Sequence, residues 1–357
     1  MPSPIERAEL GSRIERALSA FLNRQRHTLV DVDPALSDVA ETAEQFVLGG
    51  GKRMRPAFAY WGYRGAGGDD CDTVVACTAS LELLQASALM HDDLMDDSDT
   101  RRGAPAVHRK FASMHALSDW AGAPDDFGAC AAILLGDLCL AWSDEMFTGA
   151  GMPAAALTAA RADFDAMRTE VSAGQYLDVL AQAQRDATVT RALKVARYKS
   201  AKYTVERPML MGAALGGGPQ ALRDCYSTFG LALGEAFQLR DDVLGVFGDP
   251  TQTGKPAGDD LREGKRTFLI ASAHAAADAG QRSALDSGLG DRALSESGVA
   301  ALRELITDTG ALAATEQRID DLAAVTAQAL RDAKRHIDSE AAAALTELAE
   351  AAIRRHL

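Results

Sequence analysis

The sequence predicts an all-α fold, and three observations carry that prediction. Of the 357 residues 47% are apolar but only 6% aromatic, and Ala, Leu and charged residues dominate, a composition that favours helix over sheet. Runs of β-branched and aromatic residues bounded by turn signals, the mark of strands, are nearly absent. Apolar residues instead recur at helical spacing along most of the chain. No composition shift marks a flexible linker and no internal repeat of roughly 20–50 residues is found. One all-helical domain over 1–357, with a short N-terminal extension, is the expectation.

The elements follow in order. Residues 5–48 read as helix, interrupted around Asp31–Pro34, and Gly49, Gly50 and Gly51 break the pattern before Lys52. An apolar run resumes from Arg55 to Tyr63, with Pro56 near a helix N-terminus. Residues 73–98 form the clearest long helical stretch, with Leu81, Leu84 and Ala88 at helical spacing. Residues 99–127 are mixed, and Gly122, Pro124, Asp125 and Asp126 read as a loop. Helical patterns return at 128–148, 153–182, 187–213, 219–247 and 266–281. Pro208 predicts a kink or break inside one of them. The segment 248–265, rich in Gly, Asp, Thr, Pro and Lys, reads as a loop or lid. Residues 296–306 and 310–356 are two further amphipathic helices.

Charge and cysteine usage exclude several classes. The net charge of −14 removes an overall basic footprint for nucleic acid. Anion binding then requires local cations or metals. Cys71, Cys77, Cys130, Cys139 and Cys225 are odd in number and lack metal-ligand spacing, which reads as free thiols in a reducing cytoplasm and makes a zinc site a poor fit. No basic-plus-apolar leader and no uninterrupted apolar run of about 18 residues is present, so a soluble protein without a membrane span is expected.

Two acidic motifs carry chemistry. His91-Asp92-Asp93-Leu94-Met95-Asp96-Asp97 closes an apolar helical stretch, and Asp92 and Asp96, four apart, project from one face. Like charges at that spacing destabilise a bare helix, a cost that a divalent cation offsets. Magnesium suits hard oxygen donors and takes one or two carboxylates, filling its octahedron with water and phosphate. The plainer alternative is a solvated acidic helix end. The second motif, Phe237-Gln238-Leu239-Arg240-Asp241-Asp242-Val243-Leu244, also follows an apolar helical run. Two such pairs facing one another would hold several metal ions, which is what neutralising a departing diphosphate needs.

Cations cluster beside glycine turns and these motifs. They are Gly50-Gly51-Lys52-Arg53-Met54-Arg55-Pro56, Arg101-Arg102-Gly103, Lys199-Ser200, Gly254-Lys255-Pro256 and Gly264-Lys265-Arg266-Thr267. Arg offers bidentate contacts to phosphate oxygens and Lys a point charge. Any one alone reads as a surface cation. Together they point to two anionic groups, one bridged by metal and one held by cations.

In order and spacing these residues resemble the all-trans polyprenyl diphosphate synthases, which include farnesyl and geranylgeranyl diphosphate synthases. The matching segments run from Gly50 to Phe111, through Lys199-Ser200-Ala201, and from Phe237 to Thr267. The resemblance implies a single large helical bundle around a central cleft, of the isoprenoid synthase type I kind, and a magnesium-dependent prenyltransferase usually found as a homodimer. It implies that isopentenyl diphosphate is joined to dimethylallyl, geranyl or farnesyl diphosphate. Asp92, Asp96 and Asp241 are then magnesium ligands, with Asp93, Asp242 and Asp259 supporting them. Arg101, Lys199 and Lys255 take the allylic diphosphate, with Lys265 nearby. Lys52, Arg55, Gln85 and Arg102 take isopentenyl diphosphate, Gln85 standing where many members have His. Ser200 and Gln238 face the reacting carbons. One departure is Gly245, where many members carry the last aspartate of a second full motif.

The product tail is expected to run along the helix below Asp92. Ser87 and Ala88 lie roughly 6–7.5 Å deeper and Leu84 about 12 Å. The small pair implies a product longer than farnesyl, with geranylgeranyl diphosphate as the expectation. His91 reads as a packed, hydrogen-bonded residue and not a base. A class I terpene cyclase leaves Lys52, Arg55 and Arg102 without purpose, a squalene- or phytoene-type enzyme lacks the Gly50–Pro56 element, and a non-catalytic partner subunit tends to lose an aspartate motif.

Overall fold

The computed structural model describes residues 9–248 and 258–353. They are helical throughout, and the one pair of strands among the described residues is a minimal antiparallel hairpin, β1 (Thr100–Arg101) with β2 (Ala104–Pro105). The chain forms two compact units, one within Met1–Tyr60 and Asp69–Leu157, the other within Trp61–Gly68 and Thr158–Leu357.

The first unit holds α1 (Leu10–Val32), a 3-10 turn (Pro34–Leu36), α2 (Ser37–Leu48), most of α3 (Met54–Gly65), α4 (Asp72–Met95), the hairpin, α5 (Val107–Leu117) and α6 (Pro124–Gly149). Apolar on nearly all sides, α4 buries Val74, Leu81, Leu83, Leu84 and Met90 among others, as a central helix must. It runs antiparallel to α6: Cys77 Sγ lies 3.8 Å from the Phe147 carbonyl and His91 Nε2 3.2 Å from the Ile133 carbonyl. On the other side α1 sets Phe21 edge-on to Trp142, ring centroids 6.5 Å apart. Pro124, Asp125 and Asp126, expected in a loop, form the first turn of α6. Proline at a helix start sacrifices no hydrogen bond, and acidic residues there favour the positive end of the helix dipole.

Both α4 and α6 contain 18-residue windows of mean hydropathy 1.4, enough to cross a membrane by length and composition. The α4 window is 72% buried, which marks a core helix, whereas that of α6 is only 39% buried.

The second unit centres on α10 (Gln220–Phe247), which packs on α15 (Ala311–Ala333) and on the segment 196–206. Gly230 and Gly234, one turn apart on α10, lie directly against the backbones of Glu206 and Ala201. A side chain at either position would push the helices apart, so glycine sets their close approach.

The kink or break expected at Pro208 takes the form of a change of helix type just before it. The chain passes from α8 (Val189–Val195) through an 11-residue π-helix (Ala196–Glu206) into α9 (Arg207–Leu215), with Pro208 in the first turn of α9. Widening the preceding turns accommodates a residue that lacks an N–H and crowds the carbonyl four places back. Two expected helices are each split. Residues 266–281 divide into α12 (Phe268–Ala276) and α13 (Ala279–Gly288), the latter opened by a reciprocal Asp278–Gln281 capping box. The stretch 310–356 divides into α15 and α16 (Ser339–Ile353), where Asp338 accepts from the Ala341 N–H at 2.7 Å. The expected loop after α10 contains a one-turn helix, α11 (Asp259–Glu263). The helices α7 (Ala154–Gln184) and α14 (Glu296–Asp308) match expectation. All five cysteines are free, and burial pushes the Cys77 and Cys139 thiols up to about 12, which makes them packing groups.

Candidate active site

In the first unit the turn before α3 is built on left-handed backbone, with φ of 110° at Gly50 and 122° at Gly51, values glycine alone adopts freely. Arg102, from the hairpin, donates to the Gly50 carbonyl at 2.8 Å and so ties the RRG segment to this turn. Beside it lies a small, open cleft. Phe46, Val47, Ala86 and Leu89 form its apolar side, and Arg53, Glu82, Gln85 and Arg102 its polar side. Two of the predicted isopentenyl diphosphate residues, Gln85 and Arg102, thus share one pocket. Burial lowers the Arg102 pKa, Glu82 opposes that, and the charges of Arg53, Arg101 and Arg55 add to it. Several guanidiniums gathered around one carboxylate leave an excess of positive field, which suits a polyanion.

Sequence reasoning counted Arg53 among the clustered cations without giving it a role of its own, and missed Glu82. Arg53 Nη1 lies 2.5 Å from Glu82 Oε2 and donates to the Val47 carbonyl at 3.0 Å. The signal was present: Glu82 is a lone acid within the apolar run of α4, and a buried charge calls for a partner.

The first aspartate motif closes α4. Asp92 and Asp96 sit one turn apart, joined by the Asp96 N–H to Asp92 carbonyl bond at 2.8 Å. Asp93 points inward, 1% exposed, and accepts a two-pronged contact from Arg101, with Nε 2.8 Å from Oδ1. Arg101 Nη2 also stands 3.9 Å from Asp92, so this predicted diphosphate ligand is oriented by the motif itself. Arg109 clamps the following turn, 2.8 Å from both Asp97 and Asp99. His91 is packed against Gly136 and bonded to the Ile133 carbonyl, as expected. Leu84 and Ser87 are buried on α4 and Ala88 is partly exposed.

In the second unit Lys199 and Ser200 lie on the π-helix, a form that concentrates at functional segments. Ser200 is buried, and Lys199 Nζ is 2.7 Å from Asp178 on α7. Asp178 was not anticipated. It belongs to an acidic stripe on α7, with Asp163 and Glu170, that meets a basic one: Lys202 and Arg207 each stand 2.7 Å from Glu170. On α10, Gln238 donates to Asp242 at 2.7 Å. Burial pushes Asp242 up to about 8 against that hydrogen bond, with the negative charges of Asp260, Asp241 and Asp178 adding to the rise. Lys265 pairs with Glu263 at 2.6 Å and lies 3.7 Å from Asp260. Lys255 falls outside the described residues.

The residues fit magnesium. No three acidic, histidine or cysteine side chains converge into a ready-made cluster among the described residues. That matches an ion that takes one or two carboxylates and completes its shell with water and phosphate. Crowding of Asp242 by Asp260, Asp241 and Asp178 is a repulsion that a bound cation relieves.

Residues 37–306 match the family described as polyprenyl synthetase. A solved geranylgeranyl pyrophosphate synthase from Corynebacterium glutamicum, complexed with isoprenyl diphosphate and magnesium, superposes with a TM-score of 0.94 at 40% identity, covering 98% of this chain and 99% of that one. A geranylfarnesyl diphosphate synthase from Aeropyrum pernix is 33% identical over 276 residues, 76% of this chain and 80% of the relative. A (2E,6E)-farnesyl diphosphate synthase from Mycobacterium tuberculosis is 34% identical over 260 residues, 72% of this chain and 67% of the relative. The chain belongs to the polyprenyl synthetase family and has its all-α, isoprenoid synthase type I fold.

Proposed function

We propose that the protein is a magnesium-dependent trans-prenyltransferase that condenses isopentenyl diphosphate with an allylic diphosphate into a linear all-trans polyprenyl diphosphate, with geranylgeranyl diphosphate as its product. The carrying observation is the anion pocket of Arg53, Gln85 and Arg102 beside an intact Asp92–Asp96 pair. The reading is supported by the Corynebacterium relative, solved with isoprenyl diphosphate and magnesium.

Asp92 and Asp96 in the first unit and Asp241 in the second would be the magnesium ligands, and the metal when bound would supply positive charge to the departing diphosphate. Asp93 keeps Arg101 aligned for a phosphate oxygen, and Lys199 adds a point charge. Lys52, Arg55, Gln85 and Arg102 hold isopentenyl diphosphate. The Ser200 hydroxyl and Gln238 carbonyl oxygens face the developing carbocation, and the apolar walls exclude the water that would quench it. The isopentenyl double bond attacks the allylic carbon, the allylic carbon–oxygen bond breaks, and the departing diphosphate takes the proton lost from the new chain. No side-chain base is required, and His91 is engaged by the Ile133 carbonyl.

Relatives are named for farnesyl, geranylgeranyl and geranylfarnesyl products, so family alone leaves chain length open. Small Ser87 and Ala88 argue against stopping at farnesyl. We assign the protein to the cytoplasm on its five free thiols, and to a homodimer on the exposed apolar face of α6, where Ile133 is 46% and Leu134 64% exposed.

Purified protein incubated with magnesium, labelled isopentenyl diphosphate and each allylic starter tests the reading. A twenty-carbon alcohol after dephosphorylation is expected. A shorter or longer alcohol overturns the product length, and no elongation from folded protein overturns the activity.

A further inference from the structure

Glu170, Gly174 and Asp178 follow one another at intervals of four residues on α7 and so share one face. That face lies along the π-helix, which runs antiparallel to it: Glu170 takes Lys202 and Arg207 at 2.7 Å each, and Asp178 takes Lys199 at 2.7 Å. Gly174 stands between the two carboxylates and touches backbone. A Cβ built on it would collide with the Lys199 nitrogen and lie 2.7 Å from the Tyr198 carbonyl carbon and 2.8 Å from the Lys199 Cα. One turn of α7 therefore meets Lys199 at both ends, its backbone through Gly174 and its ammonium through Asp178. Gly234 of α10 lies as close to the Ala201 backbone, so Ser200 sits between two backbone contacts made by two different helices.

Resting on the prenyltransferase reading above, we propose that Gly174 is a positioning residue of the reaction: it seats the backbone of Lys199 against α7 and, with Asp178, fixes where that ammonium meets the allylic diphosphate. Lysine is a point charge on a flexible four-carbon stem. Fixing the tip alone leaves the root free to drift, and fixing the root alone leaves the tip free. Holding both removes that freedom before the substrate arrives. A side chain at 174 would part the two backbones by about 1 Å to restore an ordinary carbon–carbon contact, a displacement of the size that costs about 100-fold in rate when it misplaces a reacting group. Glu170 already ties α7 to the π-helix through Lys202 and to the start of α9 through Arg207. Glycine at 174 is thus not needed to join these helices, only to bring Lys199 so close.

The test is steady-state kinetics with geranyl and isopentenyl diphosphates beside thermal melts. Gly174→Ala is expected to lower kcat/KM for geranyl diphosphate about 10–100-fold, with isopentenyl diphosphate affinity, read by calorimetry, unchanged. In a Lys199→Ala background the same substitution is expected to cost less than about twofold further, because the group it misplaces is gone. Gly230→Ala, at an equally close glycine that faces Glu206, is expected to lower the melting temperature and to leave the allylic parameters within about threefold of the parent. Asp178→Glu keeps the charge and the Gly174 contact but moves the ammonium, and is expected to lower allylic kcat/KM about tenfold; this arm stands by itself where Gly174→Ala does not fold. A folded Gly174→Ala with parental kinetics, a loss that adds in full to that of Lys199→Ala, or an equal loss from Gly230→Ala overturns the inference, as do parental kinetics in Asp178→Glu. A folded parent that elongates no allylic diphosphate overturns the prenyltransferase reading itself, and this inference with it.

Discussion

Arg53 and Glu82 bury an ion pair at the wall of the anion pocket, Nη1 to Oε2 at 2.5 Å, with side chains 4% and 6% exposed. Arg53 holds this place with a left-handed backbone, φ 50°, which costs a non-glycine residue about 1–2 kcal/mol. Its Nε and Nη2, one complete edge of the guanidinium fork, find no acceptor among the described residues. A strained backbone and an unsatisfied buried edge together point to a task beyond packing.

The first prediction concerns that pair. Glu82→Gln keeps the shape but loses the ionic hold that positions Arg53, so the KM for isopentenyl diphosphate is expected to rise about tenfold, or ~1.4 kcal/mol, with the allylic KM unchanged. Removing Arg53 alone strands the Glu82 charge and is expected to cost about 3–5 kcal/mol of stability. Replacing both, Arg53→Met with Glu82→Leu, restores stability but not isopentenyl diphosphate affinity. Thermal melts beside steady-state kinetics separate the two effects, and a double variant of normal affinity would make the pair purely structural.

A second prediction follows from Lys199 and Asp178, 2.7 Å apart. Asp178→Asn removes the charge that restrains Lys199 along the π-helix. If that restraint aims the ammonium at the allylic diphosphate, kcat falls about 10–100-fold while isopentenyl diphosphate affinity, read by calorimetry, stays. Equal loss of both would mean that Asp178 supports the second unit as a whole.

What the sequence made legible has a physical boundary. Asp92, Asp96 and Asp241 stood out because they end apolar helices, a contrast visible in one dimension. Lys52 and Arg102 stood out because they flank glycine turns. Asp178 did not, because its partner lies 21 residues away on another helix and each alone resembles an ordinary surface charge. The π-helix left no periodic trace in 196–206. Asp259 and Asp260 are chemically alike as neighbours in sequence, and the expectation placed a supporting role on Asp259, whereas the carboxylate that crowds Asp242 is that of Asp260. Pro124 marked the start of α6 but read as loop, because proline and aspartate serve both turns and helix N-termini.

The exposed face of α6 yields a third prediction. Phe127, Cys130, Ile133, Leu134 and Leu140 are exposed along it, and exposed apolar side chains on one helix mark an interaction face. Leu134→Lys with Ile133→Lys is expected to halve the mass measured by light scattering. An unchanged mass would reject this face as the interface. A monomeric parent that binds lipid vesicles would assign the face to a membrane surface instead.

The last prediction concerns product length. Ala88 lies four residues before Asp92 on α4, about 6 Å below it at 1.5 Å per residue, and is partly exposed where Ser87 and Leu84 are buried. A phenylalanine at 88 therefore enters space beside the helix and need not break the core. Below it the antiparallel pairing of α4 with α6, fixed by His91–Ile133 near the top and Cys77–Phe147 lower down, puts Leu84 level with the part of α6 around Leu140. Each added isoprene unit must pass Ala88 before it reaches that level. Ala88→Phe is expected to shift the main product from twenty carbons to fifteen, with the rate of the first condensation nearly unchanged, as read by chromatography of the dephosphorylated alcohols. Leu84→Ala is expected to lengthen the product by at least one unit, at a stability cost of about 2–5 kcal/mol. If neither variant changes chain length, the tail does not follow this face of α4.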